Sequence, residues 1–438
     1  MKALNRVVNW LNARGPFVFL TPCISVIGNC SEEILFGLIR ARREGKKLVI
    51  LYPFDLPWKF RFPLTNRELF DVVSPHRAEV PALPFFLART ALTAVFGFFR
   101  ALSLILGKVL GQWAHLPGRF THPTLGATTL WKPEEEPADF LWKVVESYDW
   151  TTEVQKPLTV GLRPEKLARA QALRREMGLP DGAWFAALHV REGGFYGDHQ
   201  ASACRNATIA NYLPLIREIT ARGGWVARLG DKTMTPLPSM ERVIDYPHTR
   251  FKSALMDMHL LSECRFYVGM SSGILDTAFL FQRPMLIANM TNMTFVYPRR
   301  PGDRGLPKHV FSNVKGRFLS LREVFESSWE AQHFHEIGDD YELVENSPEE
   351  LRDAIVEFLD GLESGRTEPS PLQREANELR LRQGRRILDS VLFKPHYDDM
   401  HNRYRMASRL ESALGSLSED FVKANWERSA RKAGPVGK

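Results

Sequence analysis

The stretch RFYVGMSSGILDTAFLFQRPMLIANM, residues 265–290, predicts a strand, a tight turn, a helix and a second strand in direct succession. Its first apolar run, RFYVG, is continuous, which is typical of a strand buried on both faces of a parallel sheet. The small residues SSG allow a sharp turn into the helix, and PMLIANM forms the next apolar run. A strand-helix-strand unit of this kind indicates a parallel α/β sheet.

The same alternation extends upstream of this stretch. The runs WFAALHV (184–190), WVARLGD (225–231) and VIDY (243–246) predict strands. Helical spacing of apolar residues predicts helices over 208–224 and 253–264 between them. The sequence therefore predicts a doubly wound, mostly parallel sheet.

The N-terminal part begins with a similar but shorter pattern. PFVFL and KLVILYP predict two strands, and Ser31 predicts the N-cap of an intervening helix over about 31–44. At 438 residues the chain exceeds what one hydrophobic core usually supports. We therefore expect an N-terminal domain over 1–157, a second domain over 158–330, and a helical C-terminal region over 331–438 that packs back on both domains and ends in a disordered tail.

Composition indicates a globular protein with an anionic partner. Apolar residues make up 44% and charged residues 25% of the chain, which argues against disorder. The four cysteines form no CxxC pair, so neither a zinc module nor a disulfide framework is predicted and a cytoplasmic location is expected. The net charge of +7 favours nucleotide phosphates, an acidic membrane face or nucleic acid as partner, and charge alone does not choose among them.

Residues 85–111 form a long apolar stretch interrupted by Arg89, Arg100 and Lys108. At about 100° per residue, Arg89, Thr93 and Arg100 fall on one narrow stripe and apolar residues cover the rest of the helix. Such a helix lies in a membrane interface with its cations toward the headgroups, or it packs within the N-terminal domain. The sequence leaves both alternatives open.

Residues that directly follow strands are the candidate ligand site, because open α/β sheets bind ligands beyond the carboxyl ends of their strands. The turn Ser271, Ser272 and Gly273 opens a helix, where free backbone N–H groups and the helix dipole attract phosphate. Small residues at a helix start also serve as simple caps, which is the alternative interpretation. Gly230 and Asp231, which end the run WVARLGD, are further candidates.

Arg191 follows the strand WFAALHV and is the strongest candidate. Its planar guanidinium can bind two phosphate oxygens at once and neutralise a departing diphosphate. The alternative is an ion pair with Glu192 or Asp198. We favour the ligand role because Arg191 directly follows a strand that is predicted to be buried.

Several of these stretches together resemble a known group of enzymes. HVREGGFYGD is similar to the HxR-type motif of fucosyltransferase-like GT-B glycosyltransferases, and residues 258–284 resemble the segment that holds the donor diphosphate in them. Together with CRNATIANYLPLI, RLGD and RGLPKH, these motifs resemble an uncharacterised bacterial family of glycosyltransferase-like proteins associated with surface polysaccharide. The resemblance covers about 185–310 and implies a GT-B-type architecture of two Rossmann-like domains with the helical C-terminal extension.

The resemblance also implies roles for individual residues. Arg191 matches the arginine that contacts the donor phosphates, His189 matches the histidine before it, and the Ser271–Gly273 turn matches the phosphate turn. A second arginine and an aspartate often follow the first arginine in fucosyltransferases, whereas Glu192, Gly193 and Gly194 stand here before Asp198.

Other polar residues complete the predicted site. Arg205 and Asn206 precede a helix and could contact the donor or the acceptor, or serve as loop and cap residues. Arg304 and Lys308 belong to a basic stretch after PMLIANM, which we expect to be a loop on the ligand side of the sheet or an ordinary solvated loop. Among the carboxylates, Asp198 is favoured over Glu192 and Asp231 as the catalytic base.

The sequence thus predicts a glycosyltransferase that moves a sugar from a nucleotide diphosphate donor to a surface-polysaccharide or lipid-linked acceptor. No metal or other cofactor is expected, since His333, His335 and Glu336 lack the spacing of a helical HExxH site. The expected partners are a nucleotide sugar, a glycan or lipid-linked acceptor and, as a candidate, an anionic membrane surface at the inner membrane face, with no nucleic acid. A nucleotide-sugar epimerase or hydrolase and a non-catalytic membrane-associated binding protein are the alternatives.

Overall fold

The computed structural model describes residues 14–24, 26–54, 64–110, 150–196, 204–327, 340–389 and 400–428. Contacts divide the chain into two compact units. The first comprises Met1–Leu167, Asp276–Gln282 and Asp399–Tyr404, and the second comprises the remaining residues.

The first unit contains a strand-helix-strand element, as predicted. Strand β1 (Phe17–Leu20) pairs in parallel with β2 (Lys47–Ile50), and helix α1 (Ile27–Arg43) connects them. The helix begins at Ile27, so the prediction of an N-cap at Ser31 is wrong. The Glu33 carboxylate accepts a hydrogen bond from the Cys23 amide at 2.6 Å and thereby ties the preceding loop to the interior of the helix rather than to its start.

Other helices follow in this part of the chain: α2 (Ala82–Leu110), α3 (Trp150–Gln155) and α4 (Pro164–Glu176). Helix α2 covers nearly all of the apolar stretch that the sequence singled out. None of the helices within the described ranges combines the length and the apolarity needed to cross a bilayer. Because those ranges hold one pair of sheet strands in the first unit, a second Rossmann-like domain stays a prediction.

The remaining elements are given in chain order. They are β3 (Phe185–Leu188), α5 (Leu213–Ala221), β4 (Trp225–Arg228), β5 (Val243–Asp245), α6 (Ala254–Glu263), β6 (Phe266–Gly269), α7 (Gly273–Leu280), β7 (Met285–Met290), β8 (Arg304–Pro307), β9 (His309–Ser312), β10 (Arg317–Phe318), α8 (Leu321–Glu326), β11 (Tyr341–Val344), α9 (Pro348–Ser364), α10 (Pro371–Asp389), α11 (Met400–Ser412), β12 (Ser416–Leu417) and α12 (Glu419–Asn425).

A seven-stranded parallel sheet forms the centre of the second unit. Its strand order is β12-β8-β7-β6-β3-β4-β5. Strands β3, β6 and β7 are buried along their whole length, which explains why their sequences are continuous apolar runs. The predicted α/β class with a large parallel sheet is therefore confirmed.

If β3 to β8 are numbered 1 to 6, their order across the sheet from the β5 edge is 3-2-1-4-5-6, which is the order of Rossmann folds, and β12 adds a seventh strand beside β8. The chain leaves β3 toward one edge of the sheet through β4 and β5. It then returns to the other side of β3 as β6 and continues outward. The neighbours β3 and β6 therefore flank the topological switch point.

The C-terminal region is mainly helical but also supplies strands. Strand β12 extends the parallel sheet beside β8, and β11 pairs antiparallel with β9 in a small three-stranded sheet. Helix α9 begins as predicted, with Ser347 as N-cap, Pro348 in the first turn and a capping box to Glu350. Its apolar face packs against α5, and the ring of Phe358 lies 5.4 Å from that of Phe266 in β6. This packing covers one face of the sheet.

Candidate functional site

The candidate site lies at the carboxyl ends of β3 and β6, at the switch point. In sheets of this order, the connections after these two strands diverge to opposite faces and leave a crevice for ligands. His189 and Arg191 follow β3, and Ser271 and Ser272 follow β6. The sheet therefore brings together the two stretches that the sequence singled out separately.

The turn after β6 presents hydrogen-bond donors at the start of α7. The Ser271 side chain is 8% exposed, and its hydroxyl has no hydrogen-bond partner among the described residues. An unsatisfied buried hydroxyl costs stability unless a ligand or water occupies the place beside it. Together with the positive end of the α7 dipole, this hydroxyl favours an anion site.

His189 supports this turn from the neighbouring strand. Its amide donates to the Val268 carbonyl at 2.9 Å and continues the β3–β6 ladder, and its ring Nδ1 lies 3.3 Å from the Ser272 hydroxyl. Burial, followed by the charges of Arg228 and Arg191, lowers the pKa of His189 to about 4. A neutral imidazole with this pKa is a weak base at neutral pH, so its contacts fit a positioning role better than proton abstraction.

The lowered pKa predicts how stability depends on pH. Between pH 6.5 and pH 4 an unfolded histidine binds a proton that buried His189 does not bind, so acidification through this window favours unfolding. The free energy of unfolding of the wild-type protein falls between pH 7 and pH 4. We expect this fall to be smaller by roughly 3 kcal/mol in His189→Asn. Urea titrations of both proteins across this range measure the difference. His259, whose pKa is also lowered to about 4, keeps part of the slope in the variant; equal slopes in both proteins would contradict the assignment to His189.

Arg191 is held in place by three groups. Its side chain donates to the Asn206 side-chain oxygen, its carbonyl accepts from the Ala207 amide at 3.0 Å, and its amide lies 3.3 Å from the Met270 sulfur. The arginine is 6% exposed. The sequence left two roles open for Asn206, a ligand contact or a loop and cap residue. In the structure it orients Arg191.

A second cation reaches the same loop from β8. Lys308 donates from Nζ to the Asn206 carbonyl oxygen at 2.6 Å, and its amide donates to the carbonyl of Met290 at the end of β7. Burial lowers the pKa of Lys308. Asn206 therefore accepts hydrogen bonds from Arg191 through its side chain and from Lys308 through its backbone.

The thiol of Cys204 lies near a third cation in this group. Burial raises the pKa of Cys204, while the positive charges of Arg205, Lys308 and Arg191 act in the opposite direction. Arg205 directly precedes Asn206, which accepts the hydrogen bonds of Arg191 and Lys308. We refer to Arg191, Arg205 and Lys308 as the cation cluster.

Glu345 fixes the far end of the same loop and was missed by the sequence analysis. Its carboxylate accepts from the Thr208 amide at 2.8 Å and from the Asn211 side chain at 3.2 Å. Glu345 precedes α9, more than a hundred residues away along the chain, so no local motif connects it to this loop.

A buried asparagine pair positions both Glu345 and Lys308. Asn289 and Asn346 each donate an amide N–H to the other's side-chain oxygen, at 2.8 and 2.7 Å, and the Asn346 side chain donates to the Pro307 carbonyl. Asn289 has a φ of 49°, a left-handed conformation that asparagine tolerates better than most residues. Glu345 directly precedes Asn346, and Lys308 directly follows Pro307. The asparagine pair therefore fixes the backbone beside both residues.

Glu192, the residue directly after Arg191, has a structural role. Its carboxylate accepts from fully buried Arg228 at 2.8 Å and from the amide and hydroxyl of Thr235 at 2.7 and 2.8 Å. Arg228 also contacts Asp245 at 3.3 Å. Glu192 thus links the loop after Arg191 to the loop after β4, and its oxygens are occupied, which argues against its use as the base.

Gly230 and Asp231 shape the loop after β4. Gly230 has a φ of 148°, and a Cβ at this position would overlap the Met234 side chain. The Asp231 carboxylate accepts from the Thr233 amide at 2.8 Å and from its hydroxyl at 2.5 Å, as aspartates in turns commonly do. Both residues lie at the carboxyl edge of the sheet, as predicted. Their contacts within the loop explain why a glycine and an aspartate occur there.

Arg304 does not lie where the sequence analysis expected it. It is the first residue of β8, pairs in register with Leu286 near the start of β7, and donates to Glu357 of α9 at 3.1 Å. Because parallel strands share their direction, this position is at the amino edge of the sheet, opposite the cation cluster. The expectation of a ligand-side loop for Arg304 is wrong, since the residue forms a partly buried ion pair between the sheet and α9.

Three sequence-based expectations fall on parts of the chain that the structure does not describe. They concern Asp198 as the catalytic base, the group His333, His335 and Glu336, and the tail beyond residue 428, all of which lie outside the described residues.

Comparisons with known proteins give a structural similarity. No protein-family model and no curated protein sequence matches the chain. A crystal structure of a glycosyl transferase family 9 protein from Veillonella parvula DSM 2008 is similar over 59% of this chain and 77% of that chain, with 12% identity and a TM-score of 0.32. A TM-score this low does not establish a common fold, so the site is interpreted from its own residues.

Proposed function

We propose that the protein is a glycosyltransferase that uses a nucleotide diphosphate sugar as donor and needs no metal ion. The observation that carries the proposal is that Arg191 follows β3 and the Ser271 turn follows β6, the two strands that flank the switch point of a Rossmann-ordered sheet. The buried cations Arg191 and Lys308 and an unsatisfied hydroxyl at a helix start fit a ligand with several negatively charged oxygens. The motif resemblance described for residues 185–310 supports a diphosphate sugar as that ligand.

In the proposed reaction, an acceptor hydroxyl attacks the anomeric carbon of the bound sugar. The bond between that carbon and the β-phosphate oxygen breaks, the nucleoside diphosphate leaves, and a carboxylate takes the hydroxyl proton. Arg191, Arg205 and Lys308 stabilise the charge that develops on the leaving group, which is the part that a metal ion plays in other transferases. Asp198 stays our candidate base, since Glu192 and Asp231 are engaged in other hydrogen bonds.

The acceptor in this proposal is a surface polysaccharide or a lipid-linked glycan, as the resemblance implies. A transferase binds both substrates, whereas a hydrolase or epimerase consumes the donor alone. The acceptor dependence of donor consumption therefore separates these activities.

A donor-consumption assay tests the proposal. The full chain is incubated with a panel of nucleotide diphosphate sugars, with and without bacterial lipid-linked glycans, and released nucleoside diphosphate is measured chromatographically. We expect release from one donor that requires the acceptor and persists in excess EDTA. Release at the same rate without acceptor would indicate a hydrolase, and loss of activity in EDTA would contradict the metal-independent mechanism.

A further inference from the structure

Helix α2 exposes large apolar side chains on one side. Leu83, Phe86, Leu87 and Phe98 are between 55% and 68% exposed. At about 100° per residue these four positions fall within one stripe of the helix surface, which we call the apolar stripe. Single exposed apolar residues are ordinary, but four large ones that share one side of a helix mark an interaction surface.

The orientation of this stripe is fixed by the side of the helix that borders it. The Arg89 guanidinium donates to the carbonyls of Tyr52 and Pro53 at 3.0 and 3.3 Å and lies over the rings of Tyr52 and Phe54. The Thr93 hydroxyl accepts from the Phe54 amide at 2.7 Å. The polar side of α2 therefore packs against residues 52–54. The Phe86 ring, at the border of the stripe, lies 5.5 Å from that of Phe54, whereas Leu83, Leu87 and Phe98 face outward.

This arrangement changes one of the two alternatives that the sequence left open for α2. In that alternative Arg89 points toward lipid headgroups, whereas its hydrogen bonds and ring contacts hold it against residues 52–54. An interfacial helix buries its apolar side in lipid and turns its polar side away from the acyl chains. The observed orientation matches that requirement, with the protein itself contacting the polar side.

Charge identifies the kind of surface that α2 would meet. Within residues 82–110 the charged residues are Arg89, Arg100 and Lys108, with no aspartate or glutamate. The first 110 residues of the sequence contain 15 lysines and arginines but 7 aspartates and glutamates, whereas the whole chain contains 58 and 51. The positive excess is thus concentrated in the part that contains the apolar stripe, which favours an anionic surface.

We propose that the apolar stripe inserts into the interface of an anionic bilayer, with α2 parallel to the membrane plane. The helix has 29 residues and a length of about 43 Å, which gives an extended contact along the surface. The inference does not depend on the proposed catalytic activity, because its residues lie outside the cation cluster.

Vesicle flotation tests the proposal on the full chain. Vesicles of phosphatidylcholine alone are compared with vesicles of equal parts phosphatidylcholine and phosphatidylglycerol. We expect wild-type protein to float with the mixed vesicles and much less with the neutral ones. The double variant Leu83→Ser with Leu87→Ser, which leaves the contact of Phe86 with Phe54 intact, should bind the mixed vesicles about tenfold or more weakly. Val314→Ser removes an apolar side chain that is 77% exposed outside α2, and we expect it to bind like wild type.

The same experiment identifies the contrary results. Wild-type protein that stays unbound to mixed vesicles, or a double variant that floats as well as wild type, would overturn the proposal. A wild-type dimer in light scattering that the double variant converts to monomer, without vesicle binding, would assign the apolar stripe to a second copy instead. Circular dichroism and nucleoside diphosphate binding report whether the variants stay folded, and these readouts separate failure of the membrane proposal from failure of the catalytic one.

Discussion

Replacing Arg191 by alanine is expected to weaken nucleoside diphosphate binding by about 100-fold. A buried guanidinium that makes two charge-assisted hydrogen bonds to phosphate contributes about 3 kcal/mol, which corresponds to this factor. Arg191→Lys keeps the charge but loses the planar fork, so an intermediate affinity is expected. Isothermal titration of the full chain with the nucleoside diphosphate that binds best measures all three proteins.

Two further variants control this experiment. Arg352→Ala removes a half-exposed arginine of α9 that pairs with Asp353, and it should bind like wild type. Asn206→Asp places a carboxylate between Arg191 and Lys308, so diphosphate affinity should fall while the free energy of unfolding stays constant or rises. Unchanged affinity in Arg191→Ala and Asn206→Asp would remove Arg191 from the anion site.

Replacing Glu192 by alanine is expected to lower the free energy of unfolding by about 3 kcal/mol. Arg228 is fully buried, and breaking a buried ion pair from one side leaves an uncompensated charge. The contact of Arg228 with Asp245 at 3.3 Å remains, which keeps the expected loss at the lower end of the usual range. Urea unfolding at neutral pH, followed by circular dichroism, measures this loss.

A second substitution separates the ion pair from general packing. Glu192→Ala combined with Arg228→Met removes both charges, so part of the lost stability should return. Asp353→Ala, at an exposed ion pair, should change stability by less than about 1 kcal/mol. If Glu192→Ala also changed stability by less than that amount, Glu192 would not be the partner that stabilises Arg228.

The parallel sheet could be predicted because its strands are buried on both faces. Continuous apolar runs such as FAAL and FYVG need no knowledge of distant residues to be recognised. The carboxyl edge then follows from strand direction, which brought Arg191 and the Ser271 turn to the same place in the sequence analysis as in the structure. Their hydrogen bonds could not be predicted in this way.

The parts that the sequence analysis missed depend on long-range pairing. Arg304 lies in a basic stretch, and nothing local indicates that Glu357 of α9 pairs with it. Glu345 is likewise connected to the site only through folding of the C-terminal region onto the sheet. Asn289 was the available signal, since a polar residue near the end of the apolar run PMLIANM needs a buried partner.

Calorimetric titration with a series of nucleosides, nucleoside monophosphates and nucleoside diphosphates tests the central claim most directly. The cation cluster and the Ser271 turn predict that at least one diphosphate binds, that it binds more tightly than its monophosphate and nucleoside, and that added salt weakens it. If no nucleoside diphosphate binds, or if removing the second phosphate leaves the affinity unchanged, the switch point is not a diphosphate site.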